Sequence, residues 1–180
     1  MRTRAATAGM RALAAATLLL ALSACATSGP ARPVPASHTL VPGSRVSLAV
    51  PAGLRYDAAL PGFESDDGRT ALFVSELPGS VYATMRSFSG EAFQRSGMEL
   101  ETQERVTVDG WPARLYHASQ PLPDDELSRL VLVFGDSGRS VVLTAVTPRS
   151  RADEQDAALR AALLSVRWHR GGVEPASAAP

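Results

Sequence analysis

The feature that most constrains the fold is a pair of segments that are apolar on both faces. One lies within residues 129–134 and contains LVLVF, the other lies within residues 140–146 and contains VVLTAV, and Gly-Asp-Ser-Gly at 135–138 joins them. A strand with one face in water alternates apolar and polar residues, whereas a strand buried on both faces is apolar throughout. The pair therefore predicts two central strands of a sheet that helices or loops cover on each side.

Patterns in the rest of the chain predict further strands around this pair. Apolar and polar residues alternate in short segments bounded by turn residues, which is typical of half-buried strands. These segments are residues 45–50, 70–77, 99–108, 111–118 and a short last strand at 166–168. Asp109 and Gly110 separate two of them, and this dipeptide is a strong signal for a two-residue hairpin turn.

Two helices are predicted from apolar residues at helical spacing. The first is capped by Ser80 and stops at Gly97. Its apolar face is formed by Val81, Met85, Phe88 and Ala92. The second begins with Ser150 and Asp153 in a capping-box-like arrangement. Its buried stripe is formed by Leu159, Ala162, Leu163 and Val166. The order of strands, helix, strand meander and helix predicts an α+β fold with helices packed on a largely antiparallel sheet.

The N-terminal segment predicts export and lipid attachment. Residues 1–24 contain a cationic start, an apolar run at 12–22 and then small residues, which are the parts of a secretory signal peptide. The apolar run is shorter than the roughly 20 residues of a membrane-spanning helix. The segment Leu-Ser-Ala-Cys that follows resembles the bacterial lipobox, and Cys25 is the only cysteine of the chain. Cys25 is therefore the predicted lipid attachment site, with cleavage just before it.

Ordinary signal-peptide cleavage is the alternative, because Ala24-Cys25-Ala26 also has a small-x-small pattern. The lipobox accounts better for the cysteine, since a free thiol is a liability in an oxidising compartment. Two or three acyl chains on Cys25, palmitate among them, would hold the protein firmly in a membrane. Residue Ala26 is not the Asp that retains lipoproteins in the inner membrane of Gram-negative cells. By resemblance to that sorting rule, we expect an outer-membrane lipoprotein that faces the periplasm.

Composition divides the remaining chain into three parts. Residues 25–37 are rich in Pro, Ala and Ser, a composition that cannot bury a core and predicts a lipid-anchored flexible tether. Residues 38–170 contain all the predicted strands and helices and form a single α+β domain. Residues 171–180 resemble the tether in composition and predict a disordered tail.

Charge argues against nucleic acid as a partner. The chain has 18 basic and 18 acidic residues, every basic residue is an arginine, and Arg2, Arg4 and Arg11 leave with the signal peptide. The mature chain is therefore mildly acidic, and its sequence shows no clustered basic segment of the kind that binds nucleic acid. The single cysteine also excludes an intramolecular disulfide and a multi-cysteine metal site.

No residue pattern predicts catalysis, a metal or a cofactor. His117 alternates with Ala113 and Leu115 in a predicted strand, a position more typical of a packed structural histidine than of a catalytic base. Serines are plentiful, but none stands in a G-x-S-x-G nucleophile elbow. The acidic clusters at 66–67 and 124–126 lack the alternating spacing of a calcium loop and predict solvated loops. We therefore expect a protein that is not an enzyme.

Trp111 is the candidate partner contact. It follows the 109–110 turn at a hairpin tip, where an exposed tryptophan would be a binding hot spot. Packed beneath a helix, the same side chain would belong to the core, and this alternative is favoured for both Trp111 and Trp168.

Several segments together resemble a known family. They are VPAGL after an early strand, FVSELPGS leading into a helix, VTVDGWPARLYHAS, the hairpin LVLVFGDSGRSVVLTAV, and LLSVRWH at the end of the last helix. Across most of residues 40–168 this arrangement resembles the PsbP-like proteins. That family includes the photosystem II oxygen-evolving subunit, a Ran-binding nuclear factor and many small bacterial lipoproteins. The resemblance implies an α/β/α sandwich and a binding or assembly role, and it carries over no functional residue.

Three functional hypotheses follow. The first is a lipid-anchored, non-enzymatic module that binds another protein of the cell envelope or supports an assembly. The second is a small-ligand-binding protein, with a pocket between the sheet and the helix at residues 81–95. The third is a hydrolase that uses His117.

Overall fold

The computed structural model describes residues 32–172. In chain order the strands are β1 (Thr39–Leu40), β2 (Val46–Leu48), β3 (Leu54–Asp57), β4 (Gly62–Ser65), β5 (Ala71–Pro78), β6 (Glu99–Val108), β7 (Trp111–Pro121), β8 (Glu126–Gly135), β9 (Arg139–Pro148) and β10 (Arg167–Trp168). The helices are α1 (Val81–Ser87), α2 (Gly90–Arg95) and α3 (Arg149–Ser165). The predicted signal peptide, Cys25, residues 26–31 of the predicted tether and residues 173–180 of the predicted tail lie outside the described residues.

An antiparallel sheet of seven strands dominates the structure. Its order is β3-β4-β5-β9-β8-β7-β6, and β1, β2 and β10 form a second, three-stranded sheet. β8 and β9 lie inside the large sheet, and most of their residues are buried. The prediction that these two strands are covered on both faces is confirmed.

The two faces of the large sheet are covered unequally. On one face, Phe134 of β8 belongs to a large apolar cluster that includes Leu163 of α3 and Val46 of the small sheet. On the other face, a smaller cluster joins Val133 to Phe93 of α2. The α+β class and the antiparallel sheet are confirmed, but the protein contains more sheet than the expected α/β/α sandwich.

The first predicted helix is in fact two short helices. Ser80 caps α1 as predicted, and its side chain accepts a hydrogen bond from the Tyr82 N–H. The chain leaves helical geometry at Phe88, and the Ser89 hydroxyl accepts from the Ala92 N–H, which starts α2. After this break Phe93 is the buried residue, so the predicted stripe through Ala92 is wrong beyond Phe88. A serine that competes for backbone hydrogen bonds explains the interruption.

The predicted capping box of the last helix is also wrong. Residue Pro148 precedes α3 and still pairs with Leu127 as the end of β9, and no side chain caps the helix. Because strand and helix adjoin directly, Ser150 lies inside the first turn, where it cannot act as the cap. The predicted stripe is confirmed, because Leu159, Ala162, Leu163 and Val166 are all buried.

The predicted hairpin between β6 and β7 is confirmed. Asp109 and Gly110 have φ angles of 49° and 80°, as a two-residue turn of type I′ requires. The β3–β4 hairpin was not predicted, since its strands are only four residues long and GFES does not alternate. A Cβ at Gly62 would overlap the Leu72 carbonyl oxygen, so this hairpin lies close against β5 only because residue 62 is glycine.

The described part of the predicted tether, residues 32–37, contacts the domain. Arg32 forms an ion pair of 3.0 Å with Asp109, whose side chain is only 3% exposed. Asp109 also accepts hydrogen bonds from the Arg167 guanidinium and the Trp168 N–H. The Arg32 carbonyl oxygen lies 3.1 Å from Nδ1 of the buried His169. The chain is therefore held to the domain at Arg32, seven residues after Cys25.

Candidate ligand groove

A groove lies between α1 and the β6–β7 hairpin. Its volume is about 1110 Å³. It is lined by residues of α1 and the following turn, of β6 and β7, and of the β8–β9 turn: Val81, Tyr82, Met85, Arg86, Phe88, Ser89, Gln103, Arg105, Val106, Thr107, Trp111, Pro112, Ala113, Arg114, Gly135, Asp136 and Ser137. This position matches the pocket predicted between the sheet and residues 81–95.

On the α1 side, Val81, Met85 and Phe88 form an apolar wall of the groove. Phe88 stacks on Tyr116, with ring centroids 5.4 Å apart, and Met85 packs against the same small cluster. The Tyr116 hydroxyl donates to the Met85 carbonyl oxygen, which ties α1 to β7. Burial raises the pKa of Tyr116, so this hydroxyl stays protonated at neutral pH. At the rim, the ring of Tyr82 is 72% exposed.

Three arginines line the groove without a carboxylate partner. Most arginines of residues 32–172 lie within 4.0 Å of a carboxylate, as Arg160 does with Glu104 at 2.7 Å. No carboxylate of the described chain lies that close to Arg86, Arg105 or Arg114. The Cα atoms of Arg105 and Arg114 are direct cross-strand partners in the β6–β7 ladder. Their side chains therefore leave the same face of the sheet as like charges.

The one carboxylate that lines the groove is already compensated. Asp136 lies 3.0 Å from the Arg170 guanidinium and accepts hydrogen bonds from the Gly138 and Arg139 N–H groups. Burial raises the pKa of Asp136, but these hydrogen bonds and the arginine charges outweigh burial and hold the pKa below its usual range. Asp136 therefore stays ionised and paired, and the groove keeps a net positive charge.

Trp111 packs against the large apolar cluster and also lines the groove. It is half-buried, and its ring makes an edge contact with Trp168 at a centroid distance of 5.4 Å. The Arg170 guanidinium lies 5.9 Å from the Trp111 ring centroid, within cation–π range. Trp168 is 2% exposed and belongs to the core. Trp111 also lines the groove, so a contact with a ligand there stays a prediction.

The structure brings His117 together with a serine and two carboxylates on the opposite face of the sheet. His117 Nε2 lies 3.0 Å from the Ser128 hydroxyl, and Nδ1 lies 3.2 Å from Glu101. The Ser128 hydroxyl donates to Asp156 of α3 at 2.9 Å. Ser128 is only 1% exposed, so a substrate has no access to this oxygen. The cluster fits a polar attachment of α3 to the sheet better than a nucleophile and base.

This attachment predicts a stability effect. Changing Ser128→Ala removes the donor to Asp156 and the partner of His117, and one Asp156 oxygen is already buried without a partner among the described residues. We expect the free energy of unfolding to fall by about 1–3 kcal/mol, measured by urea denaturation. An unchanged unfolding midpoint would show that the cluster does not hold α3.

Three of the five residues in the acidic clusters, Asp66, Asp67 and Asp125, form ion pairs. Asp125 pairs with Arg69 at 2.9 Å, and Asp67 pairs with Arg151 at 2.7 Å. Hydrogen bonds from the Ser65 hydroxyl, the Arg69 N–H and Arg151 lower the pKa of Asp67 to about 2. Within residues 32–172, no group of three or more His, Cys, Asp or Glu side chains is arranged to hold a metal ion. In the same range, none of the helices is both long and apolar enough to cross a membrane.

Comparison with known proteins gives matches among solved structures. No protein-family model and no curated protein matches the chain. The solution structure of cyanobacterial PsbP (CyanoP) from Synechocystis sp. PCC 6803 matches with a TM-score of 0.51 and 17% identity. The match covers 78% of this chain and 98% of CyanoP.

The fold is PsbP-like.

A second PsbP-like match is LpqN of Mycobacterium tuberculosis, described as involved in cell envelope biogenesis. Its TM-score is 0.50 at 14% identity, and the match covers 67% of this chain and 81% of LpqN. At such identities the likeness establishes the fold and assigns no residue roles. The groove arginines therefore have to be interpreted from their own geometry.

Proposed function

We propose that this PsbP-like chain is a non-enzymatic binding module of the bacterial cell envelope, anchored by lipid on Cys25. The groove between α1 and the β6–β7 hairpin is its binding site. The observation that carries the proposal is the size and lining of this groove, about 1110 Å³ with an apolar wall on the α1 side. Sites for small ligands are concave, mostly apolar and usually ~300–1,000 Å³.

Two further observations support this function. The lipobox-like segment ending at Cys25 would place the mature chain in the envelope, and LpqN, with the same fold, is described as acting in envelope biogenesis. The exposed Tyr82 ring at the rim of the groove favours an alternative ligand, a segment of another envelope protein. The recessed apolar wall favours a ligand that inserts between helix and sheet.

A neutral apolar fluorophore, N-phenyl-1-naphthylamine, tests the groove directly. Residues 26–180 contain every described residue, and we expect this chain to bind the fluorophore saturably with one site per chain. Met85→Gln is expected to raise the Kd about tenfold, because a buried amide without partners costs roughly 1–2 kcal/mol. Fluorescence titration measures the Kd.

Met98→Gln is the matched control for this experiment. Met85 and Met98 are both half-buried against the same small cluster, but only Met85 lines the groove. Met98→Gln should leave the Kd within twofold. Equal effects of the two changes, or the absence of saturable binding, would contradict the proposed site.

A further inference from the structure

We infer that the groove binds an anionic phospholipid, with its acyl chain against the apolar wall and its phosphate held by Arg105, Arg114 and Arg86. This inference rests on the proposed function, because it names the ligand class of the same groove. Its first support is charge: the groove carries three arginines that the described chain leaves without carboxylates, beside one aspartate that Arg170 already pairs.

The cross-strand arginine pair is the strongest part of this argument. Like charges directly opposite each other on adjacent strands destabilise a sheet. Arg105 and Arg114 nevertheless occupy such a position. On the opposite face of the same strand, Glu101 and Glu104 each have an arginine partner from α3. An anion between the two guanidinium groups removes the repulsion, and planar guanidinium forks match phosphate oxygens geometrically.

Arg86 adds a third cation from the helix side. It lies in the last turn of α1, where a positive charge also interacts favourably with the helix dipole. The helix dipole favours a basic residue in the last turn of α1 but does not determine which side of the helix the residue is on. Arg86 is on the side that lines the groove, together with Arg105 and Arg114. The three cations therefore come from α1 on one side of the groove and from the β6–β7 hairpin on the other.

The apolar wall distinguishes a lipid from a free anion. Inorganic phosphate would use the arginines but would leave Met85, Phe88 and the rest of a groove of about 1110 Å³ without a partner. An acyl chain fills such space, since each buried methylene contributes about 0.8 kcal/mol. Arg32 is held at the turn next to Trp111, so the groove lies close to the point where the chain continues toward Cys25.

Competition between two short-chain lipids tests the inference. Dioctanoyl phosphatidylglycerol and dioctanoyl phosphatidylcholine have the same acyl chains, but only the first has a net negative charge. Each lipid is titrated below its micelle concentration against N-phenyl-1-naphthylamine bound to residues 26–180. We expect phosphatidylglycerol to displace the fluorophore at a concentration at least tenfold lower than phosphatidylcholine.

The arginines are tested by charge-matched double variants. Arg105→Gln with Arg114→Gln should abolish the difference between the two lipids, with displacement by each lipid referred to the variant's own Kd for the fluorophore. The control is Arg55→Gln with Arg95→Gln, which removes the same charge from exposed positions that do not line the groove. The control should retain the full difference between the lipids.

Each other outcome overturns a defined part of the inference. Fluorophore binding with equal displacement by both lipids would exclude the anionic headgroup and leave the proposed groove intact. Displacement by inorganic phosphate at the concentration effective for phosphatidylglycerol would identify a free-anion site. Fluorophore binding only after removal of residues 173–180, which contain Glu174, would show that the tail of this chain occupies the groove. An absence of fluorophore binding both with and without these residues would instead count against the proposed function.

Discussion

A Gly135→Ala variant is expected to lose about 3 kcal/mol of unfolding free energy, the sum of a strained backbone and an overpacked contact. Gly135 ends β8 with a φ angle of 147°, a conformation that residues with a side chain rarely adopt. A Cβ there would overlap the Arg139 carbonyl oxygen and lie 2.9 Å from the Ser140 Cα. Both contacts are backbone atoms of the β8–β9 pair, so neither can move without opening the centre of the sheet.

Gly138→Ala is the matched control, because Gly138 lies in the same turn. A Cβ at this position meets only the Asp136 carboxylate oxygen at 3.6 Å, an ordinary contact. Urea denaturation of the two variants should show a large loss for Gly135→Ala and less than about 1 kcal/mol for Gly138→Ala, the range of an unstrained glycine replacement. Equal midpoints would mean that the turn adapts to the added methyl group.

Changing Cys25→Ala is expected to move the protein from the membrane fraction to the soluble fraction almost completely. Two or three acyl chains on one residue hold a protein firmly in a membrane, and the variant lacks the thiol that would carry them. The measurement is the distribution of the protein after a carbonate wash of bacterial membranes. A variant that still sediments with the washed membranes contradicts the lipobox interpretation.

The mass of the mature protein separates this interpretation from ordinary cleavage. A lipoprotein begins at Cys25 and carries the added mass of its acyl chains, whereas cleavage after Ala26 gives an unmodified chain. The thermal unfolding of the Cys25→Ala chain serves as the control. It should match that of the wild-type protein, because residue 25 precedes the predicted domain at residues 38–170.

The centre of the sheet could be predicted from the sequence because its signal is strong and local. LVLVF and VVLTAV are apolar throughout, and Asp109-Gly110 specifies a two-residue turn. The β3–β4 hairpin could not be predicted in this way. Its strands are only four residues long, and its position depends on a close approach of β4 to β5 at Gly62, which only the folded chain reveals.

Helix boundaries were less predictable because several serines of the chain are suitable N-cap residues, and the sequence does not show which of them start a helix. Ser80 and Ser89 each cap a helix, and the apolar spacing that links Val81 to Phe88 continues past the break without a signal. At the last helix, Ser150 and Asp153 match a capping box in sequence. The continuation of β9 to Pro148 places the helix start before them. The pairing of β9 with β8 therefore set this helix boundary, rather than the capping preference of Ser150.

The sequence predicted the position of the candidate groove but not the arginines that line it. Arg105 and Arg114 stand equally far from the Asp109-Gly110 turn, so the register of a two-residue hairpin already makes them cross-strand partners. The sequence therefore already specifies the pairing of these two arginines. The absence of nearby carboxylates within the described chain could not be inferred, because it depends on which acidic side chains the fold brings to other arginines.

The contact between Arg32 and Asp109 limits how far the domain could move from a lipid on Cys25. Six residues, 26–31, separate Cys25 from Arg32, and an extended chain covers at most about 3.6 Å per residue, so a lipid on Cys25 keeps Arg32 within about 25 Å of its attachment point. Tethering over such distances gives the groove an effective concentration of membrane lipid in the ~mM range. A groove of modest affinity would then stay occupied by lipids of the surrounding bilayer. The kind of lipid bound in it would therefore depend on the local lipid composition.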